Sequence, residues 1–249
     1  MTAPVLRATG LAQRFGPRTV YHDVTFEVAG GEVFVILGGS GCGKTTLLRQ
    51  CIGLLAPSAG SVELLGDDIY AAAAPARDAV LRRIGVMFQS GALFGSMTLL
   101  ENVMLPLEVY TDLPPRARGH IARLKLGLVG LADAVSLLPA EISGGMVKRA
   151  AIARALALDP PLLFLDEPSA GLDPVTSAGI DRLILDLRRD LGLTFVVVTH
   201  ELASILAIAD RCLMLDRDAQ GVIATGDPRR LRDDSEDAKV RAFFRREAP

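Results

Sequence analysis

Gly38-Gly39-Ser40-Gly41-Cys42-Gly43-Lys44-Thr45-Thr46 is the stretch on which the reading of this chain turns. An apolar, β-branched run, Val33-Phe34-Val35-Ile36-Leu37, leads into it behind Gly30-Gly31 and reads as a buried strand. Leu47, Leu48, Cys51, Ile52 and Leu55 follow at a spacing that places one apolar stripe on a helix. Strand, glycine loop and helix is the context that a G-x-x-x-x-G-K-[ST] phosphate loop requires. The glycines let successive backbone N–H groups converge on a phosphate, and the helix N-terminus adds its positive end. In such a loop Lys44 reaches the β- and γ-phosphates and the Thr45 hydroxyl ligates Mg²⁺. A glycine-rich turn before a purely structural helix would need neither that strand nor that lysine, so a nucleotide-binding loop is expected.

The bulk composition narrows the class. At 249 residues the chain makes one large domain or two small ones, and half of its residues are apolar, enough for a sizeable core. A net charge of −2 supplies no electrostatic reason to expect nucleic acid. Cys42, Cys51 and Cys212 form no C-x-x-C pair and no metal spacing, which reads as reduced thiols in a cytosolic protein. Mean hydropathy is positive, yet no run approaches the ~20 apolar residues of a membrane helix. Met1-Thr2-Ala3-Pro4-Val5 lacks the charged start and apolar core of an export signal.

Before the loop, Val24, Phe26 and Val28 alternate with polar residues, a half-buried antiparallel pattern. Phe15, ahead of Gly16-Pro17, is either a stacking platform for an adenine ring or an ordinary strand-end aromatic, and position alone favours the second. After the first helix, Pro57-Ser58-Ala59-Gly60 reads as a turn and Ser61 to Leu65 as a strand. Ala71 to Arg83 reads as a helix despite Pro75, and Ile84 to Phe88 as a strand. Gln89 sits at that strand's C-terminal end, where α/β sheets keep their ligands. Its amide could touch Mg²⁺ or the attacking water, or simply bond to backbone.

From Ser90 to Leu158 strands vanish and leucines scatter through helix-compatible sequence punctuated by Pro106, Pro114-Pro115 and Pro139. This reads as a helical subdomain inserted between strands of the nucleotide-binding sheet. Near its end, Ser143-Gly144-Gly145 opens a helix: either a second anion site of backbone N–H groups, or a serine cap with glycines for close packing. Pro160-Pro161 stops that helix. Leu162 to Leu165 is then a buried strand ending in Asp166-Glu167, 122 residues beyond Lys44. Asp166 suits Mg²⁺ and Glu167 suits polarising a water. Asp173-Pro174 opens a helix with Ile180, Leu183, Ile184, Leu187 and Leu191 on one face. The apolar strand Phe195 to Val198 ends at Thr199-His200-Glu201, where His200 either reaches a γ-phosphate or caps the next helix. Arg211 to Asp216 and Val222 to Thr225 read as a terminal strand pair, followed by short helices at Asp227-Pro228 and around Val240, Phe243 and Phe244. Arg245-Arg246-Glu247 reads as a solvated helix face.

Taken together, these residues resemble the nucleotide-binding subunit of ABC transporters, over nearly the whole chain. By that resemblance Gly38 to Thr46 is the Walker A motif, Gln89 the Q-loop glutamine, and Ile142 to Met146 the signature. Asp166 and Glu167 match Walker B, Ser169 to Asp173 the D-loop, His200 the switch histidine, and Phe15 the adenine-stacking aromatic. The resemblance implies an α/β P-loop NTPase (RecA-like) core with an antiparallel β-subdomain and an inserted α-helical subdomain. Residues 1–249 then form one ABC ATP-binding domain: 1–88 and 159–226 the core with its β-subdomain, 89–158 the helical subdomain, and 227–249 a C-terminal helical extension. One departure is plain, since the signature ends in Met146 where the family usually has glutamine. That ending, with Phe88-Gln89-Ser90-Gly91-Ala92-Leu93-Phe94, is similar to the ATPase of Mla-type, MCE-associated phospholipid transporters of bacterial envelopes.

The resemblance implies ATP and Mg²⁺ as cofactors and a head-to-tail homodimer, in which Ser143, Gly144 and Gly145 of one copy meet the γ-phosphate held by Lys44 of the other. It also implies a separate membrane permease, an MCE-domain lipid-binding protein, a small regulatory subunit, and a cytoplasmic position on the inner face of the inner membrane. Gln89 to Val103 is the expected docking segment, with Phe94 and Leu99 as exposed apolar positions. A competing class, soluble ABC ATPases that remodel ribosomes or DNA, usually shows two cassettes, a long coiled-coil insertion or zinc cysteines, and none is present. An intact Glu167 and His200 also disfavour a subunit without turnover.

Overall fold

A computed structural model describes residues 3–246. Met1 and Thr2 of the expected leaderless start, and Glu247 of the charged end, lie outside the described residues. Two sheets organise the rest. The smaller is antiparallel in the order β2-β1-β4-β5: β1 (Leu6–Phe15), β2 (Arg18–Val28), β4 (Ala59–Leu64) and β5 (Asp67–Asp68). The larger runs β10-β9-β3-β8-β7-β6, with β3 (Val33–Gly38), β6 (Ile84–Met87), β7 (Leu162–Asp166), β8 (Thr194–Val198) and β9 (Arg211–Asp216) parallel. Only β10 (Gly221–Gly226) is antiparallel, closing the hairpin expected at this end of the chain.

The apolar runs of β3, β7 and β8 are buried on both faces, as central parallel strands are. The pleat then sorts them. Val33, Val35, Leu163, Leu165, Phe195 and Val197 join one core, against the helices on one side of the sheet. Phe34, Ile36, Leu162, Phe164, Val196 and Val198 join the other, against α1 (Lys44–Cys51) and the small sheet. A buried polar chain fixes α1 to that sheet: Tyr21 donates to Gln50 Oε1 and Gln50 Nε2 donates to Gln13 Oε1, each at 2.8 Å.

Several boundaries differ from the sequence expectation for local reasons. Helix α1 ends at Cys51, so Leu55 lies beyond it. The turn falls at Ile52 to Leu55, and Ala59 and Gly60 already belong to β4. A Cβ on Gly60 would sit 2.5 Å from the Thr9 and Gly10 carbonyl oxygens, so strand approach rather than a turn demands glycine there. Helix α2 (Ala74–Leu81) starts later than expected, with Pro75 in its first turn, where proline costs no hydrogen bond. Residues 90–158 are helical as expected: α3 (Leu99–Tyr110), α4 (Pro115–Leu128) and α5 (Gly144–Ala155). Pro106, however, lies inside α3 instead of ending it, and α5 stops at Ala155, before Pro160-Pro161. On α6 (Pro174–Leu191) four of the five stripe residues are buried and Leu191 is exposed.

Candidate functional site

All the strand ends that matter point the same way. The C-terminal ends of β3, β6, β7 and β8 carry the glycine loop, Gln89, Asp166-Glu167 and His200, so four distant segments meet along one edge of one sheet.

The loop is set by sterics. Gly38 has φ +145°, and a Cβ there would stand 2.2 Å from the Leu215 carbonyl oxygen. Gly41 and Gly43 also have positive φ. Gly39, Ser40 and Gly41 are exposed, while the Cys42 side chain is buried, leaving only its backbone for a ligand. The Lys44 ammonium donates to the Gly38 and Gly39 carbonyls at 2.8 and 3.0 Å, folded over the loop. A concavity of about 290 Å³ beside the loop is lined by Phe15, Arg18, Gly41, Lys44, Thr45 and Thr46 among others. Phe15 is half exposed and lines this concavity together with residues of the phosphate loop.

Asp166 and Glu167 are both buried, and one oxygen of each, Asp166 Oδ1 and Glu167 Oε2, lacks a hydrogen-bond partner. Such orphaned acceptors are costly unless something else satisfies them. Burial first, and the neighbouring Glu167 second, push the Asp166 carboxyl above its ordinary value. Glu167 is held at φ +49°, a conformation unusual for a non-glycine residue and common at active sites. Its Oε1 lies 2.7 Å from His200 Nδ1, and the His200 side chain is otherwise exposed. His200 therefore does not cap the following helix, α7 (Leu202–Ile208), whose first turn receives no side-chain cap. Gln89 is exposed at its strand end. Thr45, Gln89 and Asp166 offer hydroxyl, amide and carboxylate oxygens, the hard donor set that Mg²⁺ takes beside phosphates and water. Among the described residues no cluster of histidine, cysteine and acid suited to an all-protein metal cage occurs.

Ser143 caps α5, its Oγ accepting from the Met146 N–H at 3.3 Å. Gly145 packs closely, since a Cβ there would meet Thr176 Cγ2 at 2.4 Å. The capping and close-packing reading is thus realised, and the Gly144 and Gly145 N–H groups remain without intrahelical acceptors at the helix end. Ser143 and Gly144 are exposed and do not line the concavity that contains Lys44. Met146 packs against the apolar core beneath α5. Leu99, expected on the docking surface, is fully buried at the start of α3 and is no docking residue; Phe94 is 51% exposed.

Three residues escaped sequence reasoning. Lys148 is buried and donates to the main-chain carbonyls of Gln89 and Glu167. Arg154 donates to those of Gly91 and Ala92. Asn102, also buried, accepts from Phe94 N–H and donates to Phe94, Met97 and Thr98 carbonyls, pinning the loop ahead of α3. The available signal was a lysine on the apolar stripe Gly145, Lys148, Ala151, Ile152.

The family model described as ABC transporter matches residues 21–170, spanning the glycine loop, Gln89, Ser143-Gly144-Gly145 and Asp166-Glu167. The chain belongs to the ABC transporter family. By sequence and fold it is an ABC-type ATPase domain. Among curated proteins, the Haemophilus influenzae "Intermembrane phospholipid transport system ATP-binding protein MlaF" is 39% identical over 100% of this chain and 93% of its own. The Escherichia coli K12 protein of the same name is 41% identical over 86% and 82%. The Mycobacterium tuberculosis H37Rv "Probable ribonucleotide transport ATP-binding protein mkl" is 40% identical over 96% of this ABC chain, which spans 66% of that relative's length. Among solved structures, cbiO1 of Clostridium perfringens, part of the ABC transporter complex cbiONQ, superposes with a TM-score of 0.84 at 27% identity, covering 94% and 92% of the two chains. The ATP-binding cassette MJ0796, a dimer bound to ADP and Pi, gives 0.79 at 29% identity, covering 89% and 98%. No helix among the described residues of this ABC chain is long and apolar enough to cross a membrane.

Proposed function

We propose that this chain is the ATP-hydrolysing subunit of a membrane transporter that moves phospholipid between bacterial envelope membranes, and that two copies work head to tail around two ATP. The observation that carries the dimer is the separation within one copy: the exposed Ser143-Gly144 end of α5 is no part of the Lys44 concavity. A phosphate held at Lys44 meets that second anion-binding end only when a second copy supplies it, an isologous arrangement. The family membership and the dimeric cassette MJ0796 support the same arrangement.

Within each composite site, backbone N–H groups of residues 38–46 and the Lys44 ammonium bind the phosphates and Phe15 stacks on the base. Thr45, Gln89 and Asp166 hold Mg²⁺, which neutralises charge on the phosphates when bound. The partner-free Glu167 Oε2 accepts a proton from water as its oxygen attacks the γ-phosphorus and the bond to the bridging oxygen breaks. His200, bonded to Oε1, orients that carboxylate. Loss of the shared γ-phosphate lets the copies part.

The division into core, β-subdomain, helical subdomain and C-terminal extension assigns these parts their work, with residues 89–158 relaying the nucleotide state to a permease. Phe94, in the loop that Asn102 pins, is the docking residue we retain. The permease places the chain on the inner face of the membrane, with an MCE-domain protein and a small regulatory subunit as further partners. The phospholipid assignment rests on the end-to-end match to MlaF, together with Met146 and the Phe88 to Phe94 segment. The similar identity to mkl keeps ribonucleotide as the second reading. The test is to tag this subunit, extract it gently from its native membrane, and identify co-purifying proteins and bound lipid. A permease with an MCE-domain protein and phospholipid is expected. A permease with a different binding protein and no lipid would remove the phospholipid assignment, and a ribosomal or DNA partner without a membrane protein would remove transport.

A further inference from the structure

Three cations of helix α5 bond outside their own helix: Arg149 donates to the Val129 carbonyl at 3.2 Å, while Lys148 and Arg154 reach the segment after β6. The Lys148 ammonium, nearly enclosed, bonds to the main-chain carbonyl of Gln89 and, at 3.1 Å, to that of Glu167. Farther along, Arg154 bonds to the carbonyls of Gly91 and Ala92 at 2.9 and 2.7 Å. The segment after β6 therefore hangs from the helix that begins with Ser143-Gly144-Gly145, and Val147 touches it at Gly91, where a Cβ would meet Val147 Cγ1 at 3.0 Å. Packing alone does not call for a lysine here. Burial lowers the pKa of its ammonium, with Glu167, Asp166 and Glu201 pulling the other way, so an apolar residue would be the cheaper filler. What the lysine does uniquely is join two catalytic segments. Arg154 grips the loop but does not reach Glu167. The strained Glu167 backbone is held at its N–H by the Val198 carbonyl, at 2.8 Å, and at its carbonyl by Lys148 at 3.1 Å and the Ala170 N–H at 3.3 Å.

We propose that Lys148 is a positioning residue, tying the phosphate-contacting end of α5 to Gln89 and Glu167 of the same chain, so that nucleotide captured at Ser143-Gly144-Gly145 sets the reactive geometry at the chain's other nucleotide site. The inference rests on the ATP-sandwich reading above. Each α5 then belongs to one composite site through its N-terminus and to the second through Lys148, and the two sites turn over cooperatively.

The test is steady-state ATP hydrolysis by the full chain, unmodified and as K148M, K148R and E167Q. The unmodified chain shows a Hill coefficient above 1. K148M lowers kcat about 10- to 100-fold, the scale of a misplaced reacting group, keeps KM for ATP within about 2-fold, and brings the Hill coefficient toward 1. K148R, which keeps a buried cation with several donors, restores most of kcat. Unchanged kcat in K148M, a raised KM with kcat retained, or no recovery in K148R overturns the proposal. If K148M does not fold, K148Q, with an N–H donor but no charge, replaces it under the same criteria. Turnover retained in E167Q would instead overturn the ATP-sandwich reading. Turnover lost in E167Q but intact in K148M would overturn this inference alone.

Discussion

Replacing Gly145 by alanine separates what packing demands of the signature helix from what nucleotide demands. The added Cβ would sit 2.4 Å from Thr176 Cγ2, while the next nearest atom, Thr176 Cβ, is at 3.9 Å. Carbon pairs prefer about 3.5–4.0 Å, so helix α5 or the threonine must yield by about 1 Å. Thr176 is poorly placed to yield. Its Oγ1 donates to Asp173 Oδ2 at 2.5 Å and its N–H to Asp173 Oδ1 at 3.0 Å, within the cap of α6. Overpacking of this kind costs about 1–3 kcal/mol. Alanine gives back about 0.5–1 kcal/mol of helix propensity, leaving a net loss of up to about 2.5 kcal/mol. For a chain of this size that lowers Tm by up to about 10 °C, with turnover falling as α5 shifts. The structure also names the remedy. T176S removes only the offending methyl and keeps the hydroxyl bonded to Asp173, so G145A/T176S recovers the Tm of T176S alone or exceeds it, and turnover recovers with it. The assay is a double-mutant cycle by calorimetry and ATPase rate. If T176S fails to raise the Tm of G145A, the contact between α5 and α6 is not what excludes a side chain at position 145, and the packing argument is refuted.

Phe15→Ala removes a stacking surface worth about 0.5–1.5 kcal/mol, so KM for ATP rises about 2- to 12-fold with kcat nearly unchanged; an unchanged KM would return Phe15 to the strand-end role. Phe94→Asp, assayed in proteoliposomes containing the permease complex, abolishes substrate transfer while basal ATPase of the isolated chain stays intact. Parallel loss of both would withdraw Phe94 as a docking residue.

The sequence made the sheet's central strands legible because burial on both faces leaves an unbroken apolar run, as in Phe195 to Val198, that no half-exposed element imitates. It made part of the candidate site legible because Asp166, Glu167 and His200 sit one or two positions past such a run, and Gln89 two positions past the half-buried β6. What it hid were interactions carried by main-chain atoms. Lys148 bonds to carbonyls of Gln89 and Glu167, which carry no side-chain signature in the sequence, and Asn102 likewise reads as one polar residue in a helix. Leu99 failed for a different reason: it follows the Thr98 cap, and the first turn of α3 points it into the core. Pro106, read as punctuation, lies inside α3, whose core packing through Val103 and Leu107 carries the helix past it.

The central claim is that ATP joins two copies of this chain and that Glu167 hydrolyses it. The most direct test is E167Q, with its mass in solution measured with and without ATP alongside its rate of phosphate release. The account predicts that turnover falls by about 10²-fold or more, as expected on losing a general base, and that ATP converts the variant to a species of twice the 26.4 kDa chain mass. A monomer at saturating ATP, or a variant that still turns over at the unmodified rate, would contradict it.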